Sequence, residues 1–169
     1  VALSLPEPYN AILRERIYGL RGYIGRLDPG RWEIRRHGAF YYLDRTPLEK
    51  LGCRLVVSGI DQDGTMRSAT AAALKMVAGQ QLEDAARAAL AQTDRSLGTV
   101  VVTASFGIRF SHQNNHTEEV AHVVSAPQKS PEWLSKAVPQ VLDHAERRDI
   151  LWVGFSAMGT AAGTPAEVA

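Results

Sequence analysis

A chain of 169 residues, 45% hydrophobic and 22% charged, has the length and composition of one globular domain with its own core. A net charge of +1 leaves no basic excess for nucleic acid or an anionic membrane, so a small molecule or another protein, a second copy of the chain included, is the default partner. No apolar run approaches the ~18 residues of a membrane span, and one cysteine, Cys53, cannot form an internal disulfide, which suits a cytoplasmic chain. Cys53 adjoins an apolar run and reads as a buried, inert thiol. The chain starts at Val1 rather than Met, as a processed form or a fragment would, and VALSLPEP lacks the length and charged start of a signal peptide.

In chain order, Tyr9, Ile12, Leu13, Ile17 and Leu20 fall at helical spacing, so the first predicted element is an amphipathic helix over 9–20. Leu27-Asp28-Pro29-Gly30 is a turn, and residues 31–43 read as a strand, with Gly38 permitting a bulge. Thr46-Pro47-Leu48-Glu49 has the form of a capping box and predicts a short helix before Gly52. Leu55 to Ile60 is a short apolar run, as in a strand covered on both faces. The Ala-rich stretch 68–78, ending at Gly79, predicts a helix rather than a returning strand, because Ala favours helix and disfavours strand.

A second helix is expected over 81–96, with Leu82, Ala85, Ala86, Ala89 and Leu90 on one face, and a strand over 99–104 that Phe106, Ile108 and Phe110 extend or pair with locally. After a polar stretch, 120–124 is apolar around His122. Ser130-Pro131-Glu132 opens a helix carrying Trp133, Leu134, Ala137, Val138, Val141 and Leu142, in which Pro139 should cause a kink or an early break. Residues 149–154 are a further buried-strand candidate.

This alternation predicts an α/β fold: a three-layer sheet, mainly parallel, with helices packed on it. The alternative is an α+β arrangement of β-hairpins on two or three helices, which would place Asp63-Gly64 at an exposed hairpin tip. The whole chain, 1–169, is expected to be one domain: a helix-and-strand extension over 1–50, an α/β core over 51–160 and a fraying tail over 161–169.

In parallel sheets, ligands bind beyond the carboxyl ends of the strands. There the sequence has Asp61-Gln62-Asp63-Gly64-Thr65, Thr103-Ala104-Ser105 and Gly154-Phe155-Ser156, with Lys129 ahead of the last helix. Two carboxylates, a hydroxyl and an ammonium could handle a phosphate. Asp61 would attack phosphorus and Asp63 move the proton, while Thr103 and Lys129 hold phosphoryl oxygens.

The hydrophobic strand followed by Asp-x-Asp-Gly-Thr resembles the first motif of the haloacid dehalogenase-like phosphohydrolases. That resemblance, over roughly residues 54–160, implies an aspartate-nucleophile phosphatase acting on a phosphorylated small molecule. It gives Asp61 and Asp63 the catalytic and Mg²⁺-binding roles, with Thr103 and Lys129 as phosphate contacts. The family's closing Gly-Asp-x-x-x-Asp is replaced by Gly154-Phe155-Ser156-Ala157-Met158-Gly159, so acidic Mg²⁺ ligands are missing and an inactive relative is equally implied. Two other readings stand beside it. One is a non-catalytic oligomerisation or protein-binding module. The other is a Zn²⁺-binding protein using His112, His116 and His122, although their spacing matches no specific zinc signature and a polar loop explains them as well.

Overall fold

The computed structural model describes residues 2–4, 23–28, 31–36, 39–44, 47–108, 116–126, 132–156 and 158. The strands are β1 (Ala2–Ser4), β2 (Tyr23–Asp28), β3 (Arg31–Arg36), β4 (Ala39–Asp44), β5 (Leu55–Ile60), β6 (Val100–Ala104), β7 (Glu119–Val124) and β8 (Val153–Ser156). The helices are α1 (Ala69–Ala78), α2 (Gln80–Leu90) and α3 (Glu132–Arg147), with a 3-10 turn at Leu48–Lys50. One mixed sheet runs in the order β2-β3-β4-β1-β8-β5-β7-β6. Five adjacent strands, β4, β1, β8, β5 and β7, are parallel. At the two sides β3 and β6 run antiparallel to their neighbours.

β5 is central because both its faces are apolar. Val56 and Ile60 point to one side and join Leu74, Leu82 and Leu90 from α1 and α2; Leu55 and Val57 point to the other and join Trp133, Ala137, Val141 and Ala145 from α3. The period-two alternation of a strand thus feeds two cores. Each fully buried leucine contributes roughly 1.5–3 kcal/mol. The fold is therefore α/β in three layers, with helices on both faces of the sheet. Ser68 starts α1, its Oγ accepting from Ala71 N at 3.2 Å, and Gly79 ends it at φ +86°, where a side chain would be strained. Residues 69–78 are a helix, so Asp63-Gly64 lies in a strand-to-helix turn and not at a hairpin tip.

Several expectations change. Residues 31–43 are two strands of an antiparallel hairpin, β3 and β4, not one bulged strand. The short element before Gly52 is a 3-10 turn whose N-cap, Pro47, makes no side-chain capping bond. α2 stops at Leu90 rather than at Ser96, where Thr93 Oγ donates to the Leu90 carbonyl at 2.8 Å. β6 does not continue through Phe106 and Gly107, because both adopt positive φ.

Pro139 does not end α3, which runs on to Arg147. Pro139 and Ser135 are both exposed, so the carbonyl that the proline leaves unbonded faces water rather than the core. The last strand begins at Val153, leaving Leu151 82% and Trp152 47% exposed and moving its carboxyl end to Ser156. The helix expected over 9–20, the Pro29-Gly30 turn and the tail 161–169 fall outside the described residues.

The largest change concerns β6. It pairs antiparallel with β7, Val100 opposite Val123 and Ala104 opposite Glu119. Parallel neighbours need a crossover connection, usually a helix, whereas antiparallel ones can follow each other directly, and the register of β6 on β7 is antiparallel throughout.

Candidate functional site

Because β8, β5 and β7 are parallel, their carboxyl ends open on one edge, where Ser156, Ile60 and Val124 are the last strand residues. Gly59 allows the strands to approach there: a Cβ at this position would lie 2.6 Å from Ser125 Oγ and 3.9 Å from Met158 Cγ. Ser125 N donates to the Ile60 carbonyl at 2.9 Å, carrying the ladder one step beyond β7. Met158 N turns back onto the Ser156 carbonyl at 2.8 Å.

The loop leaving β5 is closed by its own backbone. Gly64 N donates to Asp61 O at 2.9 Å, Asp61 N to Thr65 O at 3.1 Å, and Thr65 N to Asp63 Oδ1 at 2.9 Å. Asp63 is thereby committed to an Asx turn, and the Thr65 bonds hold its carboxyl below the usual carboxylate range. Gly64 takes φ +79° hard against Arg87, where a Cβ would come within 2.7 Å of Arg87 Cγ.

Glu83 on α2 anchors the far end of the loop. Its carboxylate accepts from the buried Met66 N at 3.0 Å and from Lys75 Nζ at 3.1 Å, and pairs with Arg87 at 2.9 Å. The Met66 N–H foremost, then Lys75, Gln80 and Arg87, outweigh burial and hold the Glu83 carboxyl at about 2. Asp61, with 38% of its side chain exposed, lies 3.5 Å from Arg67, whose other nitrogen lies 3.5 Å from Asp63. Three carboxylates (Asp61, Asp63, Glu83) are thus matched by three cations (Arg67, Lys75, Arg87), and the cluster carries no net charge.

Of the four residues given phosphate-handling roles, Asp61 and Asp63 lie at this edge. Thr103 does not join them: with β6 antiparallel, it pairs with Val120 at the amino end of the parallel strands and bonds His122 instead. Lys129 and His112 lie outside the described residues. His116 is exposed while His122 is fully buried under α1 and α2, and among the described residues no three His, Cys, Asp or Glu side chains group as metal ligands would. Glu83, Arg67 and Ser125 went unnoticed. Glu83 had a readable signal, since Glu83, Ala86 and Leu90 share the i, i+3, i+7 spacing of a buried helix face.

A family model for the macro domain matches residues 57–169, two thirds of the sequence, from within β5 to the last residue. The chain belongs to the macro domain family. No curated protein matches it. Among solved structures, the Oceanobacillus iheyensis macrodomain with ADP is similar to it at TM-score 0.67 and 15% identity, over 80% of this chain and 73% of that one. A variant of the same macrodomain with ADPR gives TM-score 0.66 and 13% identity over 78% and 72% of the two chains. The macrodomain of Mycobacterium tuberculosis DarG gives 0.59 and 15% over 72% and 79%.

Membership of the macro domain family overturns the haloacid dehalogenase-like resemblance and the aspartate-nucleophile phosphohydrolase it implied. The physical reasons lie in this loop and in β6. Asp63 is occupied by a turn, and Thr103 stands at the opposite edge. The assignment of Mg²⁺ to Asp61 and Asp63 rested on that resemblance and falls with it.

Proposed function

We propose that this macro domain binds a small molecule of the ADP-ribose class, an adenosine diphosphate bearing a second ribose, at the carboxyl edge of β8, β5 and β7. The observation that carries the proposal is the family match, which runs from within β5 through β7 and β8 and covers the loops beyond all three. Macrodomains of similar fold have been solved with ADP and with ADPR. The chemistry of the edge supports the reading. Asp61 is a half-exposed acceptor suited to an amino group or ribose hydroxyls, and Ser125 adds a hydroxyl beside Gly59. α1 begins at the same edge with no acidic residue in its first turn, so its N-terminal dipole favours an anion.

Calorimetric titration with ADP-ribose, ADP and AMP tests this. Binding of ADP-ribose should be tightest, and Asp61→Ala should weaken it about tenfold or more, the worth of a hydrogen bond to a charged group. A folded protein that takes up none of the three at millimolar ligand sinks the proposal.

A further inference from the structure

Beneath α1 and α2 three polar side chains stand on three adjacent strands of a largely apolar sheet face. Ser58 on β5 and His122 on β7 are register neighbours, and both are fully buried. Next to His122, on β6, Thr103 Oγ1 lies 2.9 Å from His122 Nε2 and 3.1 Å from the carbonyl oxygen of Ala104. Ser58 Oγ and His122 Nδ1 have no partner among the described residues.

Hydrogen counting gives this group a direction. A carbonyl oxygen only accepts; with the single hydroxyl hydrogen of Thr103 given to Ala104, Thr103 Oγ1 accepts from His122 Nε2–H. The ring is neutral, because burial alone pushes its pKa from 6.5 down to about 4. A neutral ring protonated at Nε2 carries a lone pair at Nδ1. The buried Ser58 hydroxyl, one strand away in register, is a donor in need of an acceptor, and a buried unmatched pair would be costly to both.

We propose that Ser58, His122 and Thr103 form a one-way hydrogen-bonded string, Ser58 to His122 Nδ1 and Nε2–H to Thr103, that latches β7 and the edge strand β6 to central β5 and is released by acid. Neither atom has a direct partner, so the first link is carried by one buried water. A proton added at Nδ1 makes both ring nitrogens donors, so Ser58 must turn round and a cation is left in the core.

The charged groups on the elements covering this face are Glu49 and Lys50 of the 3-10 turn, Lys75 of α1, and Glu83, Asp84 and Arg87 of α2. Glu83 is bonded to Lys75 and Arg87, and none of the six pairs with His122. On β7 itself, Glu119 pairs with His144 and Arg148 of the α3 side. Among the described residues nothing therefore compensates a charged His122. With a folded pKa below the unfolded one, its contribution to stability is complete above 6.5 and is lost as pH falls towards about 4. The full loss corresponds to about 300-fold in the folding equilibrium constant.

Nitrogen-15 NMR of the histidine rings at pH 7 should find His122 neutral and protonated at Nε2. Thr103→Val, which removes the acceptor, should shift the ring towards the Nδ1–H form. In urea unfolding followed from pH 6.5 to 4, His122→Asn should remove most of the fall in stability seen in the wild type. An Nδ1–H or charged ring in the wild type, an unchanged tautomer in Thr103→Val, or the same acid dependence in His122→Asn would each overturn the latch. If His122→Asn does not fold, the two NMR results decide. None of these readouts involves ligand.

Discussion

Removing Glu83 tests whether the loop after β5 is held from α2. The Glu83 side chain is only 4% exposed, while its cationic partners Lys75 and Arg87 are 32% and 46% exposed. In Glu83→Ala both cations can turn to water, so their loss costs little. The N–H of Met66 cannot, because Met66 is buried at 3% exposure. An unsatisfied buried donor costs about 1–3 kcal/mol, and the lost methylene adds about 1, giving about 2–4 kcal/mol in urea unfolding at pH 7. Glu83→Gln keeps an acceptor for Met66 and should lose about half as much.

The two forms separate further in acid. The wild-type Glu83 carboxyl is held at about 2 against an ordinary 4.5, so its contribution is whole above 4.5 and disappears as pH falls towards 2. Glu83→Gln has no such contribution to lose and should show a flatter profile across that window. Because the loop carries Asp61, both variants should also weaken ADP-ribose binding. A Glu83→Ala protein within about 0.5 kcal/mol of wild type, or a Gln variant with an unchanged acid profile, would refute the anchoring argument.

Two glycines give sharper steric tests. Gly64→Ala places a Cβ 2.7 Å from Arg87 Cγ and 3.1 Å from Arg87 Cα at φ +79°; it should cost about 1–2 kcal/mol from the left-handed backbone alone, and more from displacing Arg87, as read by denaturant midpoint. Gly59→Ala places a Cβ 2.6 Å from Ser125 Oγ but an ordinary 3.4 Å from Ser125 Cβ. Adding Ser125→Ala should therefore recover most of the lost stability, a non-additive pair, and additive losses would show that the crowding lies elsewhere.

How much could be read beforehand depended on whether the information was local. Leu55 to Ile60 is a mostly apolar run bounded by turn residues and was legible to the residue, as was the helical character of the Ala-rich 69–78. Strand direction is not local. Val100 to Ala104 has the same composition whether it runs parallel or antiparallel, and that one reversal moves Thr103 from one edge of the sheet to the other. Pro139 misled for a different reason: the cost of a helical proline depends on whether the carbonyl it frees can reach water, which the face it occupies decides. The 149–154 run overran into Leu151 and Trp152 because apolar residues next to a strand look like strand whether buried or exposed.

The Asp-x-Asp-Gly-Thr stretch shows why a motif at the right place can carry the wrong chemistry. A strand leaving the middle of a parallel sheet for a helix must reverse within a few residues, and an Asx turn with glycine at positive φ does so cheaply. Asp63 and Gly64 satisfy that backbone requirement, so their presence says nothing of catalysis. Asp61 differs. No backbone N–H closes on its carboxylate, and among the described residues only Arg67, at 3.5 Å, approaches it. At an edge where Glu83 and Asp63 are committed to holding the loop, Asp61 has acceptor capacity left over, and a ligand with hydrogen-bond donors would use it. Asp61→Ala should therefore affect ligand affinity far more than stability, whereas Glu83→Ala should affect both. Measuring both quantities on both variants separates a residue that holds the loop from one that meets the ligand.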